Sequence, residues 1–397
     1  MNGARHGYMV TEFATVYPAL PRAILSRFRM LIFYVLALIV AFGLATFLYF
    51  AFAPRVGSNP AGDRLQRIRA SPNYRDGKFQ NVVPTDMDMP VGTMLGVLWE
   101  FAKGASGREP KDTIPTVPFD ATAWEAVPDS SFAVCWFGHS SLLIKMEGIT
   151  FLVDPVFGER ASTFSFAGPK RFNFQQHMSV ALLPKVDVVL LSHDHYDHLD
   201  HETMVQLKEM KFITPLGVGA HLEQWDIPAS AITEKDWWES VQLGSLRLTF
   251  APARHFSGRS LTNRFSTLWG SWVFEGRTKK IYFGADSGYS PTFKEIGERF
   301  GPFDLAMLEC GAYDQRWKDI HMVPEETAQA SLDLRASALM PIHWAKFSLG
   351  FHPWKEPIER STAKAGELGV TLLTPRIGQI VVDASRLHSE QWWSGLK

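Results

Sequence analysis

The chain has 397 residues, of which 46% are apolar and 20% charged, a balance typical of globular rather than disordered proteins. Lysine and arginine number 40 against 41 acidic residues, and this net charge of −1 gives no indication of a nucleic-acid surface. The two cysteines, Cys135 and Cys310, exclude a disulfide framework and a thiolate metal site.

Residues 30–53 contain no charged side chain. As a helix with a rise of about 1.5 Å per residue, this stretch spans about 36 Å, enough to cross a hydrocarbon core of about 30 Å. The competing interpretations are a cleaved signal peptide and a buried core helix. The run is longer than the usual apolar region of a signal peptide, and it lacks the polar stripe of a core helix. We therefore predict an uncleaved, single-pass membrane anchor over 30–53, preceded by a tail, 1–29.

Arginine side chains flank the predicted anchor on both sides. Arg27 and Arg29 lie at its start and Arg55 lies at its end. The positive-inside rule favours a cytoplasmic N-terminus, which places the domain after the anchor on the non-cytoplasmic side.

Residues 54–118 are polar and contain several prolines, so we predict a linker and lead-in before the main domain at 119–397. Within this segment, residues 94–101 have the pattern of a short amphipathic helix. Two interpretations stay open for it, packing on the main domain or contact with lipid.

Short apolar runs begin near residue 130 and alternate with helical patterns. The predicted strands cover 132–137, 141–146, 149–153, 186–191, 246–251, 269–274, 280–284, 304–308 and 338–342. The predicted helices cover 202–210, 324–335 and 358–368.

The strand predicted at 186–191 ends in an unusual polar cluster. His193, His195, Asp197 and His198 follow it with the spacing His-x-His-x-Asp-His. A solvated loop with incidental histidines is the plainer interpretation, and it would be preferred for a single histidine. Three imidazoles and a carboxylate at the end of a buried strand instead favour a site for zinc or a similar divalent metal.

Three later residues repeat this arrangement. His255, Asp286 and His343 each follow a short apolar strand. Alone, each has an ordinary explanation as a loop, turn or core residue. Together with the histidine-rich loop, they predict one metal site built from several strand ends.

These residues belong to a longer series of motifs spread from about residue 74 to about residue 380. The series includes Gly138-His139-Ser140, residues 151–157, 168–172 and 192–200, Asp236-Trp237-Trp238-Glu239, residues 268–272, 284–289 and 299–304, Gly311-Ala312-Tyr313, His321 with Pro324, and Ile342-His343-Trp344. In this order they resemble the N-acylphosphatidylethanolamine-hydrolysing phospholipase D family, within the metallo-β-lactamase fold superfamily. The resemblance does not cover residues 30–53, so the anchor depends on hydropathy alone.

The resemblance implies an α/β (α+β) fold, a four-layer αββα metallo-β-lactamase sandwich, here with an N-terminal transmembrane helix. It implies two zinc ions per chain and a homodimer. One ion would be held by His193, His195 and His255 and the other by Asp197, His198 and His343, with Asp286 between them. It also implies that His321 is needed near the site, although a helix-capping or surface role for this histidine stays open.

The function expected from the resemblance is hydrolysis of a membrane phospholipid at a water activated by the two metal ions. Asp197 or Asp286 would orient that water, and His321 would protonate the leaving alkoxide or hold the phosphate. N-acylphosphatidylethanolamine would be cleaved to N-acylethanolamine and phosphatidic acid.

Two alternatives use the same residues. One is a lactonase or phosphodiesterase with a soluble substrate, because fold and ligands do not determine the substrate. The other is a zinc-stabilised membrane interaction protein without turnover. An apolar groove beside the metals would favour the lipid, and a narrow polar pocket would favour a soluble substrate.

Overall fold

A computed structural model describes Gly3 and residues 22–87, 90–104, 107–260, 262–384 and 390–397. The chain divides into two compact units, Met1–Ala53 and Pro54–Lys397. Most of the predicted tail, 1–29, lies outside the described residues.

The first unit contains one long helix, α1 (Arg22–Phe52). Its stretch Ser26–Phe50 is long and apolar enough to cross a membrane, and its large apolar side chains are exposed. The helix therefore starts before the predicted anchor, 30–53, and ends one residue earlier.

The second unit holds the remaining helices and all described strands. The helices are α2 (Gly62–Ala70), α3 (Val91–Lys103), α4 (Ala121–Glu125), α5 (His201–Met204), α6 (Gly219–Gln224), α7 (Thr292–Phe300), α8 (Pro324–Asp333) and α9 (Glu356–Leu368). The strands are β1 (Tyr74–Arg75), β2 (Lys78–Phe79), β3 (Phe132–Trp136), β4 (Leu142–Met146), β5 (Ile149–Val153), β6 (Val188–Leu190), β7 (Lys211–Pro215), β8 (Ile232–Lys235), β9 (Ser240–Leu243), β10 (Leu246–Ala251), β11 (Ser271–Glu275), β12 (Lys280–Phe283), β13 (Leu305–Glu309), β14 (Leu339–Ile342) and β15 (Ile380–Val382).

Two mixed sheets form the centre of this unit. The strand order is β15-β3-β4-β5-β6-β7-β8 in one sheet and β14-β13-β12-β11-β10-β9 in the other. Strands β5 to β8 run parallel, as do β12 to β14. Parallel neighbours bring their carboxyl ends to the same edge of a sheet, where ligands bind in such folds.

Successive side chains along the strands alternate between a central core, which lies between the two sheets, and two outer cores. In β3, Phe132, Val134 and Trp136 belong to the core shared by both sheets. Ala133 and Cys135 point the other way, towards the cluster beneath α4, α5 and α6. Because successive strand side chains face opposite sides, each sheet is covered by its partner sheet and by helices.

The second sheet follows the same rule. Ile281 and Phe283 of β12 join the central core, while Tyr282 packs in the cluster that includes residues of α7, α8 and α9. The layers are thus helices, sheet, sheet, helices. This confirms the predicted αββα fold class.

The predicted elements agree best where apolar runs are strongest. Strands β5 and β10 have the predicted bounds, whereas the predicted helix 202–210 is shortened to α5 (His201–Met204). After α5 the chain turns, which places Leu207 in the outer core. Packing of that side chain overrides the helical pattern.

The segment 54–118 differs from a linker in its packing. Ile68, Phe79 and Ile114 are fully buried in the central core. Their apolar surface is better buried than left in water, so this segment belongs to the compact unit Pro54–Lys397.

A buried lysine gives the second unit a predictable pH dependence. Lys346 is 3% exposed, and its Nζ lies 3.3 Å from Ser141 Oγ. Burial, with the nearby Arg171, lowers the pKa of Lys346 to about 7. The unfolded chain therefore binds more protons above that pH, and stability rises as the pH rises from about 7 towards the ordinary lysine value of about 10.4.

We expect Lys346→Met to be more stable than the wild type near pH 7 and to lose this part of the pH dependence. Each pKa unit corresponds to about 1.4 kcal/mol, so the wild type should gain a few kcal/mol across the window. Urea unfolding at several pH values measures the change, with the exposed Lys185→Met as control. Equal pH slopes for wild type and Lys346→Met would contradict the assignment.

Candidate metal centre

The predicted site residues lie at the ends of strands from both sheets. His193 follows β6, His255 follows β10, Asp286 follows β12 and His343 directly follows β14. The loop after β6 adds His195, Asp197 and His198. The structure brings all seven residues together, in two groups whose donor atoms lie within 4.8 Å of one another.

The backbone turns sharply at several strand ends around the site. Positive φ values occur there at His139 (57°), Asp154 (40°), Ala285 (50°) and His343 (64°). The left-handed conformation is uncommon for residues with a side chain and occurs often at functional sites. Each of these residues comes shortly after a strand, so the backbone bends where the strand ends.

The first group consists of His193, His195, His255 and Asp286. His195 Nδ1 lies 2.9 Å from His193 Nε2 and 3.2 Å from His255 Nε2. Asp286 Oδ2 lies 3.9 Å from His193 Nε2 and 3.7 Å from His255 Nε2. Three ring nitrogens thus point at one small volume.

The second group consists of His139, Asp197, His198 and His343. Asp197 Oδ2 lies 3.5 Å from His198 Nε2 and 3.3 Å from His343 Nε2. It also lies 2.8 Å from His139 Nε2. Apart from His139, this is the predicted second set.

Asp286 connects the two groups. Its Oδ1 lies 3.2 Å from His198 Nε2, and its Oδ2 lies 3.0 Å from His343 Nε2. The same carboxylate faces His193 and His255 of the first group. This position suits a bridge between two cations.

The donor sets fit divalent metal ions. Among the residues that the structure describes, the buried atoms Asp286 Oδ1, His198 Nε2 and His343 Nε2 have no hydrogen-bond partner. Leaving such atoms buried and unpaired costs free energy. Ligands at about 2.0–2.1 Å around a tetrahedral zinc lie about 3.3 Å apart, close to the nitrogen separations in the first group.

The protonation states of the three histidines in the first group suit metal binding. Burial lowers the pKa of His193 and His255 well below the usual range and that of His195 to about 4. Neutral imidazole is the form that binds a metal. Burial would raise the pKa of Asp286, but His198 and His343 hold it well below its usual range, so this carboxylate is ionised.

A surrounding layer of hydrogen bonds orients the imidazoles. Asp154 Oδ2 lies 2.7 Å from His198 Nδ1, and its Oδ1 accepts from the Ser192 N–H at 2.8 Å. The carbonyl of Ile320 lies 2.9 Å from His255 Nδ1. Since Nδ1 of His198 and of His255 is held outside the site, Nε2 of these two rings is left for the site itself.

His321 lies beside the donor groups. Its Nδ1 is 2.6 Å from Glu309 Oε2, and Glu309 Oε1 accepts from the Ser287 N–H at 2.7 Å. One of its ring nitrogens lies within 4.8 Å of a donor atom of Asp286 and of His343. Burial lowers the pKa of His321 to about 4. The contact with Glu309 turns the opposite ring nitrogen, Nε2, away from that carboxylate.

Three polar residues of this arrangement were not predicted as site residues: His139, Asp154 and Glu309. Each lies at or shortly after the end of a strand, β3, β5 and β13. Asp286 was predicted because it is a polar residue that follows a predicted strand. The same rule, used for every predicted strand, would also have predicted these three residues.

A cavity of about 320 Å³ opens on the site. Its lining includes His195, Asp197, Asp286, His321 and His343 together with the apolar side chains of Val97, Phe101, Phe256, Trp317, Ile320 and Leu349. Arg264 and Arg316 also line it. A predominantly apolar space thus adjoins the donor groups.

Comparison with known proteins places the chain in a family. Residues 150–344 match the family model of the beta-lactamase superfamily domain. An uncharacterised protein of Mycobacterium tuberculosis is 44% identical over 330 residues, covering 81% of this chain and 87% of that protein. The N-acyl-phosphatidylethanolamine-hydrolyzing phospholipase D 1 of Caenorhabditis elegans is 35% identical over 243 residues, covering 58% of this chain and 68% of that protein. This chain belongs to the N-acylphosphatidylethanolamine-hydrolysing phospholipase D family.

Solved structures agree with this fold. The isothiocyanate hydrolase from Delia radicum gut bacteria superposes with a TM-score of 0.50 at 20% identity, covering 63% of this chain and 98% of that one. As a member of the N-acylphosphatidylethanolamine-hydrolysing phospholipase D family, within the metallo-β-lactamase superfamily, the protein is a metal-dependent hydrolase. The predicted family and enzyme class are confirmed.

Proposed function

We propose that the protein is a zinc-dependent phosphodiesterase of the phospholipase D type. Its substrate is N-acylphosphatidylethanolamine, and its products are N-acylethanolamine and phosphatidic acid. The observation that carries the proposal is the cavity in which apolar walls adjoin the donor groups. Such walls suit acyl chains, because they would remove the apolar surface of the chains from water.

Seven residues would hold two zinc ions. We assign His193, His195 and His255 to one and Asp197, His198 and His343 to the other, with Asp286 between them. When bound, the metal ions would supply a water of lowered pKa and neutralise charge on the phosphate.

The chain's own groups would orient and protonate the reactants. Asp197 and Asp286, both ionised, accept hydrogen bonds and so can direct a water towards phosphorus. The water oxygen forms a bond to phosphorus as the bond from phosphorus to the ethanolamine oxygen breaks. His321 would pass a proton from Nε2 to that oxygen, while Glu309, whose pKa burial raises well above its usual range, would hold the ring and return a proton to Nδ1.

The membrane assignment is part of the proposal. Helix α1, with the predicted anchor at 30–53, would fix the enzyme in the bilayer that contains its substrate, with the hydrolase domain on the non-cytoplasmic side. In α3, Val97 and Phe101 line the cavity, while Leu95 and Trp99 are 59% and 69% exposed. Exposed side chains of this kind are suited to the lipid interface. The homodimer stays a prediction.

Product identification tests this function. The zinc-loaded, full-length protein is incubated in detergent micelles with N-acylated or plain phosphatidylethanolamine, and products are identified by mass. We expect N-acylethanolamine and phosphatidic acid from the N-acylated lipid and much less product from the plain lipid. If the protein contains both metal ions and hydrolyses neither lipid, the proposed substrate is wrong.

A further inference from the structure

A second and larger cavity lies outside the metal centre. Its volume is about 830 Å³, and its lining includes Phe101, Arg108, Glu109, Arg160 and Lys170. Phe101 also lines the catalytic cavity, so the two spaces share a wall. None of the seven proposed metal ligands lines the larger cavity within the described part of the chain.

Arg108 is the unusual residue of this cavity. It is 7% exposed, and its guanidinium carbon lies 4.7 Å from the ring centres of both Phe101 and Phe351. Its buried Nε has no hydrogen-bond partner among the residues that the structure describes. Glu100, a nearby carboxylate, pairs with Arg316 instead, at 3.2 Å.

The backbone around Arg108 is held in place. The carbonyl of Gly107 accepts a hydrogen bond from the Trp354 N–H at 2.9 Å. The two aromatic rings restrict the guanidinium further through cation–π contacts. A buried charge that lacks its hydrogen bonds is costly, and a preorganised one is a good receptor for an anion.

Two further cations line the same cavity. Arg160 Nη1 donates to the carbonyl of Gly168 at 2.6 Å, and Lys170 pairs with Glu159 at 2.9 Å. Glu109 is the one carboxylate among the described residues of the lining. Three cations against one carboxylate give the cavity a positive balance, although Glu159 offsets part of it.

We propose that this cavity binds a phosphate monoester or free phosphate through Arg108, at a site separate from the metal centre. A planar guanidinium can make two parallel hydrogen bonds to phosphate oxygens. The cations suit the phosphate of phosphatidic acid, the neighbouring apolar side chains of Phe101 and Pro169 suit its acyl chains, and inorganic phosphate shares the chemistry of the headgroup. Phosphate would bind here whether or not the metal centre hydrolyses lipid.

Calorimetric titration of the full-length, zinc-loaded protein in neutral detergent tests the site. The probes are inorganic phosphate and phosphatidic acid dissolved in the same micelles. We expect Arg108→Met to weaken binding of at least one probe about tenfold or more, the loss expected for a charge-assisted pair of hydrogen bonds. Arg299→Met is the matched control, because Arg299 stacks on Trp238 at 4.1 Å and does not line this cavity.

A second variant keeps the test decisive if Arg108→Met does not fold. The double variant Arg160→Gln, Lys170→Gln changes side chains that are partly or fully exposed and should weaken binding severalfold. Loss of phosphatidic acid binding alone assigns the site to a lipid headgroup, and loss of phosphate binding assigns it to the free anion. Unchanged affinity for both probes in the folded variants, with metal content equal to wild type, would overturn the proposal.

Discussion

Asp286→Asn should lose bound metal and hydrolytic activity together. Asp286 Oδ2 faces both donor groups, at 3.7 Å from His255 Nε2 of the first and 3.0 Å from His343 Nε2 of the second. Asparagine keeps the shape of the side chain but removes the charge that would bridge two cations. Changing even the outer partners of metal ligands costs about 10–100-fold in affinity or activity, so we expect a loss of at least about a hundredfold.

Metal analysis and turnover are measured on the same preparation of the Asp286→Asn variant. Asp236→Asn is the matched control, because Asp236 is also buried but accepts hydrogen bonds from Trp237 N and Asn73 Nδ2 outside the site. That control should keep both its metal and its activity. Normal turnover in Asp286→Asn would refute the proposed mechanism.

His321→Ala should keep its metal but hydrolyse substrate about 10²–10⁴ times more slowly, the range expected for a lost general acid. The residue lines the catalytic cavity and is held by Glu309, and it is outside the seven proposed ligands. A substrate whose leaving group is a weak base, such as a nitrophenyl phosphodiester, should lose much less rate because it needs no proton. This comparison separates proton transfer from structural support.

His177→Ala controls for the removal of an imidazole, since His177 stacks on Phe174 and does not line the catalytic cavity. It should leave the rates for both substrates near wild type. An equal loss with both substrates in His321→Ala would assign the residue to phosphate binding. A normal rate with the lipid substrate would remove His321 from the reaction.

The sequence predicts most of the inner strands because their side chains are largely buried on both faces. β5 and β10 are mostly apolar and buried, and both have the predicted bounds. Three of the edge strands are different. β8 and β9 have at most partly buried side chains, and β15 is an edge strand of three residues. Their pairing depends on neighbours distant in sequence, so no local pattern indicates them.

The same distinction applies to the site. The spacing from His193 to His198 is local and is visible in the sequence, and the strand-end rule adds His255, Asp286 and His343. The contact of His139 with Asp197 joins residues 58 positions apart, and that of Asp154 with His198 joins residues 44 apart. A single polar residue after an apolar run is common, and only the folded arrangement shows which of them face the metal centre.

Metal content of the purified wild-type protein, determined by elemental analysis alongside the Asp286→Asn variant, tests the central claim most directly. If the strand ends assemble a two-metal centre, the wild type should contain close to two divalent ions per chain, and the variant should contain clearly fewer. A folded wild-type protein that takes up no divalent metal, even after incubation with zinc, would contradict the account.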